Sequence, residues 1–168
     1  LWPDAVATVA TCRSLLGRHR DAIGLAEPTL ELADRSAFAP ATLRRVLAQT
    51  YRILGEGERS ADTFAAGAER AAASGSIGLA LELAVDDGLV RAELGDVDRG
   101  LVIVDEALAA AREHGAAVNV AWALAGVAHL HLLIDPHRAL DAADVAFLAE
   151  ETRWPDTRLQ EEIDATRG

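Results

Sequence analysis

The sequence has no methionine and no lysine, one cysteine, and few aromatic residues, which make up 4% of the chain. A single cysteine excludes an intramolecular disulfide framework and the usual cysteine-rich zinc sites. The aromatic residues are too few to form the stacking platforms that bind single-stranded nucleic acid. No run of about 18 apolar residues is present, so we predict no membrane-spanning helix. Because methionine is absent even at Leu1, we expect the chain to be a piece of a longer protein.

Basic charge is also scarce. The 168 residues include 16 basic and 27 acidic ones, and the formal net charge is -11 at pH 7. A phosphate backbone is bound by clustered basic surface, so we expect no direct nucleic-acid binding by this chain. No basic segment followed by an apolar core opens the sequence, so we predict no signal peptide and a cytoplasmic location. The length suits one domain over 1–168.

The residues that are abundant belong to a helical protein. Ala, Leu, Glu and Arg dominate, and all four favour helices. Apolar residues recur every three or four positions, as at Leu101, Val104 and Leu108, which places them on one helical face. Glycines and prolines interrupt this pattern. We therefore predict an all-α fold with helices near 4–16, 20–36, 41–54, 58–74, 78–94, 97–114, 117–133 and 137–152, and a ninth after Pro155.

A repeat runs through the chain. The short turns share a leucine in steps of 38, 40 and 39 residues, at Leu16, Leu54, Leu94 and Leu133. The triplet Trp-Pro-Asp at 2–4 returns at 154–156. A helix pair of this length cannot bury its own apolar face, whereas stacked pairs bury a continuous core. The repeat predicts an α-solenoid of about four helical hairpins and a terminal helix, at 3–39, 40–77, 78–116, 117–154 and 156–167.

Small residues recur where the helices of a pair must cross. In the first helix of the first three pairs they are Ala10, Ala48 and Gly88. The second helix carries a small–bulky–small stripe, which is Ser60, Phe64 and Gly67 in one pair and Gly100, Val104 and Ala107 in the next. Such a stripe would let each second helix nest against the following pair.

The second pair combines a small residue, Tyr, a Leu-Gly turn, a small residue, Phe and a small residue, at Ala48, Tyr51, Leu54, Gly55, Ser60, Phe64 and Gly67. This order resembles the tetratricopeptide repeat (TPR), whose period is about 34 residues and whose early Trp is missing here. The longer step resembles the TPR-like sensor regions of large bacterial transcriptional regulators of the MalT/LuxR kind. The resemblance implies a right-handed solenoid that binds a partner without catalysis, beside separate ATP-binding and DNA-binding modules.

Two short patterns suggest chemistry. Cys12 and Arg18 have the Cys-x5-Arg spacing of cysteine-dependent phosphatases, but Cys12 lies inside a helical pattern and not in a loop that opens a helix. His129 and His131 are two residues apart, so on a helix their side chains diverge and cannot easily share a metal ion. We predict no catalytic residue, no metal site and no cofactor.

A binding surface is the stronger hypothesis. In a TPR-like solenoid the first helix of each pair lines the concave side. In the second pair this face carries Thr42, Arg45, Gln49 and Arg52, and in the third pair it carries Glu82, Asp86, Leu89 and Glu93. A basic row beside an acidic row suits a peptide or a zwitterionic effector. The alternative is that Arg45 and Arg52 simply pair with Glu82 and Asp86 across neighbouring helices.

The segment 116–133 is apolar on nearly every side. Such a helix has to be covered by something. The terminal segment 157–163, the continuation of the chain, a partner or a ligand are the alternatives. Its few polar or amphipathic side chains are Asn119, Trp122, His129 and His131.

The sequence therefore predicts a non-enzymatic sensor or interaction module that binds a peptide, a protein domain or a small effector. The predicted contact residues are Arg45, Gln49, Arg52, Glu82, Asp86, Glu93, Asn119, Trp122 and His129. The main alternative is an assembly scaffold without a small ligand, which includes a homo-oligomer joined through terminal apolar surface. A cysteine-dependent phosphatase is the third alternative.

Overall fold

The structure, a computed structural model, describes residues 3–35, 41–115 and 117–134, and within them the chain forms α-helices and no strand. The seven helices are α1 (Pro3–Leu15), α2 (His19–Arg35), α3 (Ala41–Ile53), α4 (Gly57–Ala73), α5 (Ile77–Glu93), α6 (Val97–Glu113) and α7 (Ala117–Ile134). This confirms the all-α prediction for the described part of the chain. The predicted helices at 137–152 and after Pro155, and the segment 157–163, lie outside the described residues.

A glycine with positive φ follows five of the helices, at Gly17, Gly55, Gly75, Gly95 and Gly115. At Gly55 the amide of Glu56 donates to the Tyr51 carbonyl at 2.9 Å and the amide of Gly55 donates to the Arg52 carbonyl at 3.1 Å. This is the Schellman arrangement, which satisfies the last carbonyls of a helix and favours glycine. The next helix begins two residues after the glycine. For this reason α4 and α5 begin one residue earlier than the sequence predicted, and Gly57 and Gly78 lie inside helices.

The helices pack in chain order. Each helix contacts the next one, and the odd-numbered helices also contact one another in a row, α1 with α3, α3 with α5, and α5 with α7. Over the described ranges, the backbones of α2 and α4, and those of α4 and α6, do not come close to each other. Each even-numbered helix thus packs between the odd-numbered helix before it and the one after it.

Buried apolar side chains form three clusters, and each cluster is made by three consecutive helices. Leu47 belongs to the cluster of α1, α2 and α3, Phe64 to that of α3, α4 and α5, and Val104 to that of α5, α6 and α7. Phe64 and Val104 have no exposed surface. α3 and α5 each contribute side chains to two of the three clusters and therefore lie between them.

Small residues lie where α3 crosses α4 and where α5 crosses α6. The Ser60 hydroxyl of α4 donates to the Ala48 carbonyl of α3 at 2.8 Å. At the second crossing, Gly88 faces Gly100, and a Cβ atom on Gly100 would lie 2.5 Å from the Gly88 carbonyl oxygen. A side chain as small as a methyl group would therefore force the second crossing apart.

Candidate functional site

The first part of the candidate site is an ion pair between α3 and α5. The Arg45 guanidinium donates to the Glu82 carboxylate at 3.1 Å, from Nη1 to Oε2. Both side chains are partly exposed. The pair joins two helices that are not consecutive in the chain. Pairing of Arg45 with Glu82 is one half of the alternative to ligand binding that the sequence suggested.

The second part is a two-bond ion pair further along the same helices. Arg52 donates from Nε to the Glu93 carboxylate at 2.9 Å, and its Nη2 donates to the other oxygen of that carboxylate. Two parallel bonds fix the plane of the guanidinium as well as its position. Arg52 therefore pairs with Glu93 and not with Asp86, which corrects the second half of the predicted pairing.

Asp86 lies between the two ion pairs, one helical turn beyond Glu82 on α5, and is only 8% exposed. Burial raises the pKa of its carboxyl group to about 6, because a charge is costly away from water. The positive charges of Arg52 and Arg45 lower this pKa, and the negative charge of Glu82 raises it further. Among the described residues no hydrogen bond or ion pair to Asp86 is found.

Two other residues of the predicted row have different surroundings. Gln49 is exposed on α3, one turn beyond Arg45, so its amide is open to solvent. Leu89 is buried in the cluster of α5, α6 and α7 and does not belong to the exposed face. We call the group Arg45, Gln49, Arg52, Glu82, Asp86 and Glu93 the charged row.

The three predicted contact residues of α7 differ from one another. Asn119 is buried and donates its side-chain amide to the Gly78 carbonyl of α5 at 2.9 Å, so it holds two helices together. Trp122 is 49% exposed and His129 is exposed. In the part of the chain that the structure describes, no hydrogen bond or ion pair joins Trp122 or His129 to the charged row.

A second polar cluster, which the sequence did not predict, surrounds Tyr51. The Tyr51 hydroxyl donates to Glu27 of α2 at 2.5 Å, and Arg59 of α4 donates to the same carboxylate at 2.7 Å. The Arg59 guanidinium also lies 4.2 Å from the centroid of the Tyr51 ring. Burial and the neighbouring Glu27 raise the pKa of Tyr51 well above its usual range. The signal was available, since a buried tyrosine needs a partner for its hydroxyl.

This cluster borders a cleft of about 440 Å³. The lining residues are Arg20, Ile23, Glu27, Leu54, Glu56 and Arg59. Arg59 also donates to Glu56 at 2.6 Å. Since Arg59 is already bonded to two carboxylates, the cluster acts first as a link between α2, α3 and α4.

The two residues with phosphatase spacing, Cys12 and Arg18, lie within α1 and just after it. Cys12 is exposed in the interior of α1, and Arg18 donates to Asp21 at 2.8 Å. Cys12 thus lacks the loop of backbone amides that a phosphatase needs. Within residues 3–35, 41–115 and 117–134, no group of three or more His, Cys, Asp or Glu side chains could hold a metal ion. In the same residues, no helix has the length and apolarity to cross a membrane.

The comparisons with known proteins add no relative to this picture. No family model matches the chain, and no curated protein matches it either. The side chains of α3 and α5 and their contacts are therefore what carries a functional proposal.

Proposed function

We propose that the chain is a non-enzymatic binding module, built as a right-handed TPR-like solenoid, which holds a peptide segment against the charged row. The observation that carries this proposal is Asp86, a buried acid set between two ion pairs on α3 and α5. The ion pairs hold Arg45 and Arg52 in fixed positions before any ligand arrives. Side chains that are already ordered lose little entropy on binding.

Three features support the solenoid. The positive-φ glycines Gly17, Gly55 and Gly95 follow α1, α3 and α5 at intervals of 38 and 40 residues. The helix crossing at Ala48 and Ser60 recurs at Gly88 and Gly100, and each of the two residues recurs after 40 positions. The contacts of α1 with α3, α3 with α5 and α5 with α7 are those expected where first helices line one side of a stack.

The setting that fits this module best is the sensor region of a large bacterial transcriptional regulator of the MalT/LuxR kind, inside the cytoplasm. In such a protein a ligand would act by changing how neighbouring hairpins pack. Arg45 with Glu82 and Arg52 with Glu93 bridge α3 and α5, which belong to different hairpins of the proposed solenoid. A ligand that contacts both helices would bias that packing and pass the signal on.

The test uses charge swaps that keep the ion pairs. The double variants Arg45→Glu with Glu82→Arg, and Arg52→Glu with Glu93→Arg, preserve the attraction between α3 and α5 but reverse its direction. Random peptides displayed on phage are selected on the unaltered chain, and the enriched peptides are measured against each variant by calorimetry. We expect both swaps to weaken binding at least about tenfold while circular dichroism stays unchanged.

The matched control is the swap Arg18→Asp with Asp21→Arg, which reverses an exposed ion pair at the start of α2. It should leave peptide binding unchanged. Selection that enriches no peptide, or enriched peptides that bind both swaps as tightly as the unaltered chain, would overturn the proposal.

One observation favours a second candidate function, an assembly scaffold that associates with itself. Leu15 and Leu16 at the end of α1 are 83% and 76% exposed, and Ile53 at the end of α3 is 60% exposed. Leu15 and Leu16 are adjacent in the chain, and contiguous exposed apolar surface is typical of contact sites. Light scattering over a range of concentrations tests this function. A dimer that dissociates on Leu15→Ser with Leu16→Ser supports it, and a monomer at every concentration excludes it.

A further inference from the structure

Within the described helices, the charged row contains one acid that makes no direct contact with an arginine. Glu82 and Glu93 each hold an arginine, while Asp86 has no ion-pair or hydrogen-bond partner among the described residues. The residue is nevertheless only 8% exposed. A buried carboxylate without a partner is costly, so a donor that reached it would gain more than the same donor gains at an exposed acid.

The charges of the charged row determine whether a cationic or an anionic ligand is favoured. Two arginines and three acids give the group one net negative charge, and the whole chain carries -11. An anionic ligand could bind the remaining N–H groups of Arg45, but it would add negative charge beside Asp86 to a group that is already net negative. A cationic ligand comes near Arg45 and Arg52, but it pairs with the Asp86 carboxylate and is attracted by the net negative charge of the group and of the chain.

From this arrangement we infer that the ligand is a peptide segment that places a lysine or arginine side chain on Asp86. This inference rests on the proposed function and specifies the chemistry of its ligand. The exposed Gln49 amide, one turn beyond Arg45 on α3, offers a donor and an acceptor to a peptide backbone. From Arg45 to Arg52 the helix rises about 10 Å, the length of about three residues of an extended peptide. A peptide therefore fits the row better than a small free amine.

The experiment uses four pools of acetylated, amidated nonapeptides with a fixed central residue, which is lysine, arginine, norleucine or glutamate. The flanking positions are randomised among alanine, serine, leucine and tyrosine. We expect the lysine and arginine pools to bind the chain at least about tenfold more tightly than the norleucine pool, and the glutamate pool to bind most weakly.

The variant Asp86→Asn should remove the preference for lysine and arginine. It should fold, because it replaces a buried charge by a neutral side chain of similar size. The matched control is Asp105→Asn, which neutralises an exposed acid on α6 and should keep the full preference.

The outcomes separate this inference from the proposed function. If all pools bind equally and the swap of Arg45 with Glu82 abolishes this binding, the lysine or arginine inference is overturned. The same result supports the peptide-binding module. Pools that do not bind at all overturn both. Free 1,4-diaminobutane is the probe for a small amine. If it displaces the lysine pool at the concentration at which that pool itself binds the chain, the choice of a peptide is overturned. A preference that is lost in Asp86→Asn and kept in Asp105→Asn supports the inference.

Discussion

Gly88 of α5 and Gly100 of α6 lie against each other, and a Cβ atom on Gly88 would be 2.8 Å from the carbonyl oxygen of Gly100. Backbone, unlike the end of a flexible side chain, cannot move aside. The equivalent crossing of α3 and α4 tolerates Ser60 because its hydroxyl bonds the Ala48 carbonyl. At equivalent positions, the crossing of α3 and α4 is therefore joined by a hydrogen bond, whereas at the crossing of α5 and α6 the two backbones are in direct contact.

Gly100→Ala should lower the free energy of unfolding by about 1–3 kcal/mol, because the helices must separate. Urea denaturation followed by circular dichroism measures this. The control is Gly24→Ala in α2, where a Cβ meets nothing within 4 Å, and the better helix propensity of alanine should leave stability equal or up to about 1 kcal/mol higher. Equal loss in both variants would contradict the close crossing.

Gly55→Ala isolates the cost of backbone conformation. Its φ is +78°, and a Cβ there meets no atom within 4 Å, so only the left-handed conformation is penalised. We expect a loss of about 1–2 kcal/mol by the same denaturation assay. Gly55→Asn, which tolerates this conformation better, should lose less, and a loss as large as that of the alanine variant would count against the turn geometry.

Asp86→Asn should stabilise the chain by up to about 3 kcal/mol above pH 6, because the native carboxyl group has a pKa of about 6 against 3.8 when unfolded. Between these values the native state holds the proton more tightly, so the native chain loses stability as pH rises. The difference between variant and unaltered chain should vanish below pH 3.8. Arg45, Arg52 and Glu82 are the charged groups that act on Asp86, and they stay in place in the variant.

The measurement is urea denaturation of both proteins across this pH range. Asp105→Asn is the control, because Asp105 is exposed and surface substitutions usually change stability by no more than about 0.5 kcal/mol. A stability difference for Asp86→Asn that does not change with pH would exclude a raised pKa.

Tyr51 is the only tyrosine of the chain, so phenolate absorbance reports on it alone. Burial and Glu27 raise its pKa, so the folded chain should not ionise near the usual value of about 10. Above that pH the unfolded chain loses a proton that the folded chain keeps, so stability should fall as pH rises. Absorbance should therefore change only together with unfolding. Glu27→Gln should lower the pKa, and an ionisation near 10 in the folded, unaltered chain would contradict the bond.

Much of the helical pattern could be predicted from the sequence, because amphipathic spacing and left-handed glycines are local properties. The starts of α2, α4 and α5 were each predicted one residue late, whereas each of these helices begins two residues after a glycine with positive φ, at His19, Gly57 and Ile77. The sequence also identified α3 and α5 as carriers of the charged row.

The depth of each side chain could not be predicted. α5 is contacted by α3, α4, α6 and α7, so its exposed arc is narrower than that of an ordinary amphipathic helix. Leu89 and Asp86 are therefore buried, while Glu93 remains exposed enough to meet Arg52. Asn119 was expected at the ligand surface, but its burial requires a hydrogen bond, which Gly78 provides.

The sharing of α3 and α5 between clusters affects how the molecule opens. If α1 and α2 detach, α3 loses one covered side but keeps its contacts with α4, and the cluster around Phe64 stays closed. The helices α1 and α2 should thus open as a pair, and amide hydrogens of α4 should exchange more slowly than those of α1. The helices α3 and α5, which carry the charged row, then stay joined through the cluster around Phe64 after α1 and α2 have opened.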